Sequence, residues 1–184
     1  MPATLTELVT IEEFEKYPEP ADGSQQELVR GKVITMPPPK ARHGIICQHI
    51  ARILGNFVYS AKFGWVTTND TGVIIERDPD TLRGADVAFW SIAREPVLPD
   101  GYFESVPDIA VEVLSPDDRK KAVREKLQDY VSSGVKLVWI VDPEIRIVTV
   151  YAGSMRGTEL DENETITGGD VLPGFTCKVA DFFG

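Results

Sequence analysis

Apolar residues recur along the chain with two different periods, which predict alternating helices and strands. The segment IEEFEKY follows Thr10, which forms a capping-box pattern with Glu13, so a short helix is expected there. A longer helix is predicted from about His43 to Ser60, because apolar residues recur along it at helical spacing. The apolar stripe of that helix comprises Ile46, Ile50, Ile53, Leu54 and Phe57.

Runs of β-branched and aromatic residues predict the strands. ELVRGKVITM is typical of a hairpin that turns near Arg30 and Gly31. WVTTN, GVIIE and ADVAFW are three further strand candidates, separated by turn-forming segments. IAVEVL, centred on Glu112, precedes a second long helix from Asp117 to Ser133, which Gly134 is expected to end. LVWIVD and RIVTVYA predict two closing strands, and ETITGGDVLPGF predicts a last β-segment and a terminal turn.

This order of elements predicts an α/β (α+β) fold in which helices flank a central mixed sheet. The strand, helix and strand over residues 109–142 indicate a right-handed crossover between parallel strands. A chain of 184 residues, 42% of them hydrophobic, suits one domain, which we expect to span residues 1–184.

Three features bear on the compartment. No apolar run approaches the ~20 residues of a membrane span, so no membrane contact is expected. The N-terminal segment lacks the basic and apolar pattern of a secretory signal. Cys47 and Cys177 form neither a disulfide framework nor a zinc motif, so we expect a cytoplasmic protein.

The net charge of −10 argues against a nucleic-acid partner, because phosphate contacts require Lys and Arg. However, the excess of acids is local: residues 1–36 hold seven acids against three bases, and residues 142–170 hold seven against two. Residues 37–141 are near balance, with thirteen bases and fourteen acids. The acidity therefore disfavours nonspecific coating of DNA and leaves room for a local basic groove.

Two acidic residues lie inside apolar strand candidates, Glu112 in IAVEVL and Asp86 in ADVAFW. A buried carboxylate is costly, and chains retain one mainly when it is paired or binds a metal. Because oxygen ligands suit Mg²⁺ or Mn²⁺ and no His/Cys cluster suggests zinc, the two acids predict a site for one hard cation. The alternative for each acid is a turn, edge or salt-bridged residue.

Four segments carry a resemblance to a known family: ELVRGKVITMPPPKARHG, GADVAFW, VPDIAVEVLSPDDRKKAVREKLQDYVSSGVKLVWIVDP and VLPGF. In these segments, from about residue 8 to 183, the chain resembles the Uma-type family of restriction endonucleases, within the PD-(D/E)XK nuclease superfamily. The resemblance implies a restriction-endonuclease-like fold and metal-dependent hydrolysis of phosphodiester bonds in nucleic acid, with DNA as the expected substrate. It also suggests a homodimer, since small nucleases of this fold often pair to cut two strands.

The resemblance assigns Asp86 and Glu112 to the two acids of the superfamily motif, although Ala85 replaces its usual proline. The motif expects lysine two residues after the second acid, where this chain has Leu114. In the family a lysine on the following helix takes that role, and Lys126 is the matching position. The predicted inner face of this helix comprises Val123, Leu127, Tyr130 and Val131. Lys126 borders that face, so its long stem could carry the ammonium back to Glu112.

Two further residues match family positions, and each has a structural alternative. Glu27 matches a common acid that could bind a second cation or orient a metal-bound water. His43 matches a common histidine that could orient a phosphate or a carboxylate, or it could be a core histidine. The alternative for Lys126 is a surface lysine paired with neighbouring acids. Asp108, in Val-Pro-Asp, lies about 13 Å from Glu112 along an extended strand, so it is predicted to be a strand-start residue.

The expected mechanism is cation-assisted hydrolysis, with Mg²⁺ or Mn²⁺ held by Asp86, Glu112 and the Val113 carbonyl. Lys126 would orient the attacking water or stabilise charge on the phosphate. A group of basic residues could contact the phosphate backbone or form a solvated face: Arg119, Lys120, Lys121 and Arg124. Two alternatives stay open, a non-catalytic nuclease fold that binds nucleic acid or protein, which Leu114 favours, and a structural module without metal.

Overall fold

The computed structural model describes residues 8–116 and 118–184. The helices in this part are α1 (Ile11–Phe14), α2 (Ala41–Ala61) and α3 (Lys120–Ser133), and a short 3₁₀ helix follows at Val179–Phe182. The first five strands are β1 (Gln25–Val29), β2 (Lys32–Met36), β3 (Gly64–Glu76), β4 (Thr81–Ser91) and β5 (Ile109–Val113). The others are β6 (Leu137–Asp142), β7 (Ile147–Ala152), β8 (Gly157–Asp161), β9 (Thr165–Gly168) and β10 (Leu172–Lys178).

Within the described residues, eight strands form one mixed sheet in the order β2-β1-β4-β5-β6-β7-β8, with β3 paired to the other edge of β4. Strands β5 and β6 are parallel and joined through α3, so the predicted parallel pairing is confirmed, and the remaining pairings in this sheet are antiparallel. Strands β9 and β10 form a separate two-stranded sheet. The predicted class, a mixed sheet flanked by helices, is confirmed.

The two long helices cover opposite faces of the sheet, because alternate strand residues enter two different apolar clusters. Val87 and Phe89 of β4 join the cluster that contains the buried stripe of α2. Ala88 and Trp90 join the cluster that contains Leu127 and Tyr130 of α3. Ala110 of β5 lies on the α3 face, and Glu112, two residues later on the same strand, therefore points toward α3. None of the described helices is long and apolar enough to cross a membrane.

Several local predictions are confirmed. The Thr10 side chain accepts from the Glu13 amide in a complete capping box at α1. The hairpin turns at Arg30 and Gly31, whose φ angles of 49° and 70° suit the mirror-image turn that matches strand twist. Helix α3 ends at Gly134, where φ is 94° and a residue without a side chain is favoured.

The prediction that WVTTN and GVIIE form two separate strands was wrong. WVTTN and GVIIE belong to one strand, β3, because Asn69 and Asp70 form a bulge in the ladder with β4 rather than a turn. Both bulge residues have positive φ, 62° and 51°. Strand β4 also begins earlier than predicted, at Thr81, and β8 was not predicted. Helix α3 begins at Lys120 rather than Asp117, which lies outside the described residues.

Candidate active site

The candidate site lies where β4 changes its neighbour in the sheet. Along one edge, β4 pairs with β1 at Leu82, and it pairs with β5 only from Val87 onward. Between these points the amide of Gly84 donates to Glu27 Oε1 at 3.0 Å. The carbonyl of Gly84 accepts from Lys126 Nζ at 2.7 Å. Side chains from β1 and α3 therefore satisfy the backbone N–H and C=O of Gly84 on this edge of β4, where none of the described strands pairs with that residue.

Gly84 also lets the β3 bulge approach this gap closely. A Cβ atom at Gly84 would lie 2.4 Å from the carbonyl oxygen of Asp70, a distance that no side chain tolerates. The bulge thereby brings Asp70 beside the site, where its carboxylate accepts a hydrogen bond from the Gln25 side-chain amide. Asp70 lies between the strand candidates WVTTN and GVIIE, outside every motif that the sequence singled out, so this acid was not predicted.

Asp86 is held from two sides at the point where β4 and β5 diverge. Its Oδ2 atom accepts from the Val113 amide at 2.6 Å, which replaces a backbone bond of the ladder. Its Oδ1 atom lies 3.2 Å from His43 Nε2 on α2. A hydrogen bond to Asp86 raises the pKa of His43 against the opposing effect of burial, and hydrogen bonding to the Val113 backbone adds to the rise. His43, Asp86 and Val113 thus form one connected group.

Glu112 faces α3, and both of its oxygens are bonded to that helix. Lys126 Nζ lies 2.8 Å from Glu112 Oε2 and 3.0 Å from Glu27 Oε1. The Tyr130 hydroxyl donates to Glu112 Oε1 at 2.8 Å. Helical spacing of four residues places Lys126 and Tyr130 on one face of α3. Tyr130 was predicted only as a core residue, and its hydroxyl contact carried no sequence signal.

Burial and neighbouring charges shift the pKa values of three acids at the site. Burial raises the pKa of Glu112 to about 8, with Lys126 opposing the rise and Asp86 adding to it. Burial and the Asp86 charge likewise raise the pKa of Asp70 to about 6. Burial alone would raise the pKa of Glu27, but Lys126 and Arg83 outweigh it and lower that pKa. Glu112 and Asp70 are therefore harder to ionise than isolated carboxyl groups, whereas Glu27 is easier to ionise.

Leu114, at the position where the motif expects lysine, and Lys126 make different contacts. Leu114 packs against the apolar cluster on the α3 face, while Lys126 brings its ammonium to the same strand from the helix above. Asp108 lies away from this group: it holds Arg94 at 3.1 Å and Lys136 at 2.7 Å, and accepts from the Ser91 amide at 2.8 Å. The expectation that Asp108 is a structural residue at the strand start agrees with these contacts.

A buried arginine, Arg83, forms ion pairs with two acids next to the site. Arg83 lies 2.7 Å from Glu27 Oε2 and 2.6 Å from Asp129 Oδ2, and Arg30 adds a second contact to Asp129 at 2.8 Å. The prediction placed Arg83 in a turn, so its role was missed. Because Glu27 contacts both Arg83 and Lys126, this arginine fixes the acid that helps to hold the lysine.

Replacement of Arg83 by Met is expected to lower the free energy of unfolding by about 3–5 kcal/mol, because it leaves Glu27 and Asp129 buried without their shared cation. Urea unfolding measures this change. Arg77→Met is the matched control, since Arg77 pairs with Glu12 at an exposed position, and its midpoint should stay near that of the wild type. Equal midpoints for both variants would contradict the structural role of Arg83.

The Uma2 family, described as "Putative restriction endonuclease", matches residues 11–180 of the chain. The chain belongs to this family. Membership in the Uma2 family confirms the resemblance found in the sequence motifs and supports a nuclease function.

A solved structure shares the fold of this Uma2 chain. It is the crystal structure of a "putative nuclease" from Anabaena variabilis, which matches with a TM-score of 0.81 at 22% sequence identity. The match covers 95% of this chain and 97% of the other. At this identity the likeness establishes the fold. None of the curated proteins matches the chain.

Proposed function

We propose that the chain is a Mg²⁺-dependent endonuclease that hydrolyses phosphodiester bonds of DNA. The observation that carries this proposal is the placement of the Lys126 ammonium 2.8 Å from Glu112, beside the point where Asp86 meets β5. Two acids on diverging strands and a lysine that reaches them from a helix supply the three charged groups that the reaction needs. The family supports the reaction class, and the substrate and the metal belong to the proposal.

The side chains present fit a hard divalent cation. Asp86, Glu112 and the Val113 carbonyl offer oxygen ligands, which Mg²⁺ and Mn²⁺ prefer. Burial raises the pKa of Glu112, and the charge of Asp86 adds to the rise against the opposing effect of Lys126. A cation there would offset both effects. Asp86, Glu112 and Val113 are therefore the proposed ligands.

Each residue then has a distinct role in the proposed hydrolysis. A bound divalent cation supplies polarisation of the scissile phosphate and a lower pKa for the attacking water. Lys126, fixed by Glu27 and the Gly84 carbonyl, orients that water and stabilises charge on the phosphate. Tyr130 holds the Glu112 carboxylate in position through its hydroxyl. His43, on α2, holds the Asp86 carboxylate in position through its ring nitrogen Nε2.

The proposed contact with the phosphate backbone lies at the start of α3. Four exposed basic residues occur there, namely Arg119, Lys120, Lys121 and Arg124. They lie on the turns of the helix that precede Lys126, so they would hold a strand that enters the site. A homodimer would present two such sites to the two strands of a duplex.

Cleavage of supercoiled plasmid DNA is the direct test. The proposal predicts nicked or linear product in Mg²⁺ or Mn²⁺ and none when EDTA removes the cation. Mg²⁺ binding without cleavage of plasmid, linear duplex or single-stranded DNA would favour a non-catalytic protein with a nuclease fold. A protein that neither binds the cation nor cuts DNA would support the structural alternative.

Binding of Mg²⁺ is expected to strengthen with pH. The pKa of Glu112 in the folded protein is about 8, above its usual value, so the metal-free site holds a proton that a cation must displace. The protonated carboxyl stabilises the metal-free fold at low pH, and that contribution is lost as pH rises through about 8. Apparent Mg²⁺ affinity should therefore increase by up to about tenfold per pH unit below that pKa, and then level off.

Calorimetric titration at a series of pH values measures this dependence. Glu112→Gln is the control, because it removes both the proton and the ligand, and its residual binding should not follow pH in this way. If the Mg²⁺ affinity of the wild type did not depend on pH, binding of the metal would not displace a proton from Glu112.

A further inference from the structure

A second group of possible ligands adjoins the proposed oxygen site. His43 and Cys47 are four residues apart on α2, so both side chains face the same way. The Sγ atom of Cys47 lies 3.4 Å from His43 Nδ1 and 4.0 Å from Nε2. Nε2 is also 3.2 Å from Asp86 Oδ1. The expectation from the sequence that no His/Cys cluster exists is therefore wrong.

The spacing of these atoms approaches that of a tetrahedral metal centre. One ligand atom from each of His43, Cys47 and Asp86 can be chosen so that all three lie within 4.8 Å of one another. Around a zinc ion, neighbouring nitrogen and oxygen ligands are about 3.4 Å apart, and nitrogen and sulfur about 3.6 Å apart. His43 Nε2 lies 3.2 Å from Asp86 Oδ1 and 4.0 Å from Cys47 Sγ. These distances are close enough to the zinc values for a small rotation of the side chains to remove the difference.

We propose that His43, Cys47 and Asp86 form a binding site for a borderline or soft divalent cation such as Zn²⁺ or Co²⁺. Imidazole and thiolate ligands select these ions over Mg²⁺, which prefers oxygen alone. The set is one nitrogen, one sulfur and one oxygen, with the fourth position left to water. This site is chemically distinct from the oxygen site, although the two share Asp86.

The surroundings of Cys47 favour a cation. The charges of Asp86 and Asp70 act on the Cys47 thiol, and a carboxylate oxygen of Asp86 lies within 4.8 Å of its sulfur. The same carboxylates attract a divalent cation. When the metal–sulfur bond forms, the S–H proton passes to solvent, and no oxidation or reduction occurs.

Sharing of Asp86 has a functional consequence, which rests on the proposed nuclease function. A cation at the His43–Cys47–Asp86 site uses a carboxylate that the oxygen site needs, so the two ions compete. Zn²⁺ should therefore inhibit Mg²⁺-dependent cleavage in the wild type and inhibit Cys47→Ser less strongly.

Titration of the full chain with Co²⁺ tests the site without reference to cleavage. The wild type should develop the near-ultraviolet charge-transfer band of a thiolate bound to cobalt, and Zn²⁺ should abolish it. Cys47→Ser should lack the band and bind Zn²⁺ at least about tenfold more weakly, because one ligand is lost. Cys177→Ser, which changes the other free cysteine, should retain both the band and the Zn²⁺ affinity.

Two results would overturn the proposal: no charge-transfer band in the wild type, or a band that Cys47→Ser retains. Either result leaves the oxygen site intact, because stabilisation by Mg²⁺ and DNA cleavage are measured separately. Conversely, a cobalt–thiolate band in a protein that does not cut DNA would establish the metal site and contradict the nuclease proposal alone.

Discussion

Lys126→Met is expected to lower DNA cleavage by about 10²–10³-fold while Mg²⁺ binding is retained, because the proposed role of this lysine lies in the transition state. Methionine keeps the packing of the stem and removes only the ammonium. Glu27 and Glu112 then lose their shared cation, so attraction for Mg²⁺ should stay the same or increase. Single-turnover cleavage rates and calorimetric Mg²⁺ affinities measure the two effects separately.

Lys178→Met is the matched control for this substitution. Lys178 is exposed on β10, and its ammonium contacts only the Asn163 carbonyl among the described residues, at 3.0 Å. Cleavage by this variant should equal that of the wild type. If Lys126→Met cut DNA at the wild-type rate, the lysine would be a structural partner of the two acids and would have no role in the reaction.

Asp86→Asn is expected to abolish both Mg²⁺ binding and cleavage, since the proposed cation loses a charged ligand. The amide oxygen can still accept from the Val113 amide, so the fold should persist. In the wild type, Mg²⁺ at ten times its Kd should raise the free energy of unfolding by about 1.4 kcal/mol and Tm by about 3–6 °C. The variant should show no rise.

Asp108→Asn is the control for Asp86→Asn, because it shows the effect of losing a buried acid that is not a proposed metal ligand. Asp108 is as buried as Asp86 but bonds Arg94 and Lys136, outside the site. This variant should unfold at a lower temperature than the wild type and still gain the same increment of Tm from Mg²⁺. An undiminished increment in Asp86→Asn would remove Asp86 from the proposed ligands.

The parts of the site that the sequence predicted are those with a strong local pattern. Glu112 was conspicuous as an acid in a run of apolar strand residues, and it does lie against α3. The position of Lys126 followed from helical spacing, since it borders the apolar stripe that packs on the sheet. Hydrophobic periodicity likewise predicted the two long helices and most of the strands, because burial of one face dictates that period.

The parts that the sequence did not predict depend on contacts between distant segments. Asp70 reaches the site only because the bulge in β3 meets Gly84, and a turn signal in the sequence does not distinguish a bulge from a chain reversal. Arg83 is buried because Glu27 and Asp129 come from two other elements to pair with it. The approach of Cys47 to Asp86 likewise requires α2 to be docked on the sheet.

The most direct test of the proposed site is a crystal soaked in Mn²⁺, with anomalous diffraction measured at a wavelength where manganese scatters anomalously. Mn²⁺ prefers oxygen ligands, so it reports the oxygen site rather than the His43–Cys47–Asp86 site. We predict a peak within ligand distance of the Asp86 and Glu112 carboxylates and the Val113 carbonyl, with Lys126 Nζ close by. A peak elsewhere, or no peak between the two acids at saturating Mn²⁺, would contradict the assignment of this site as the metal centre of a nuclease.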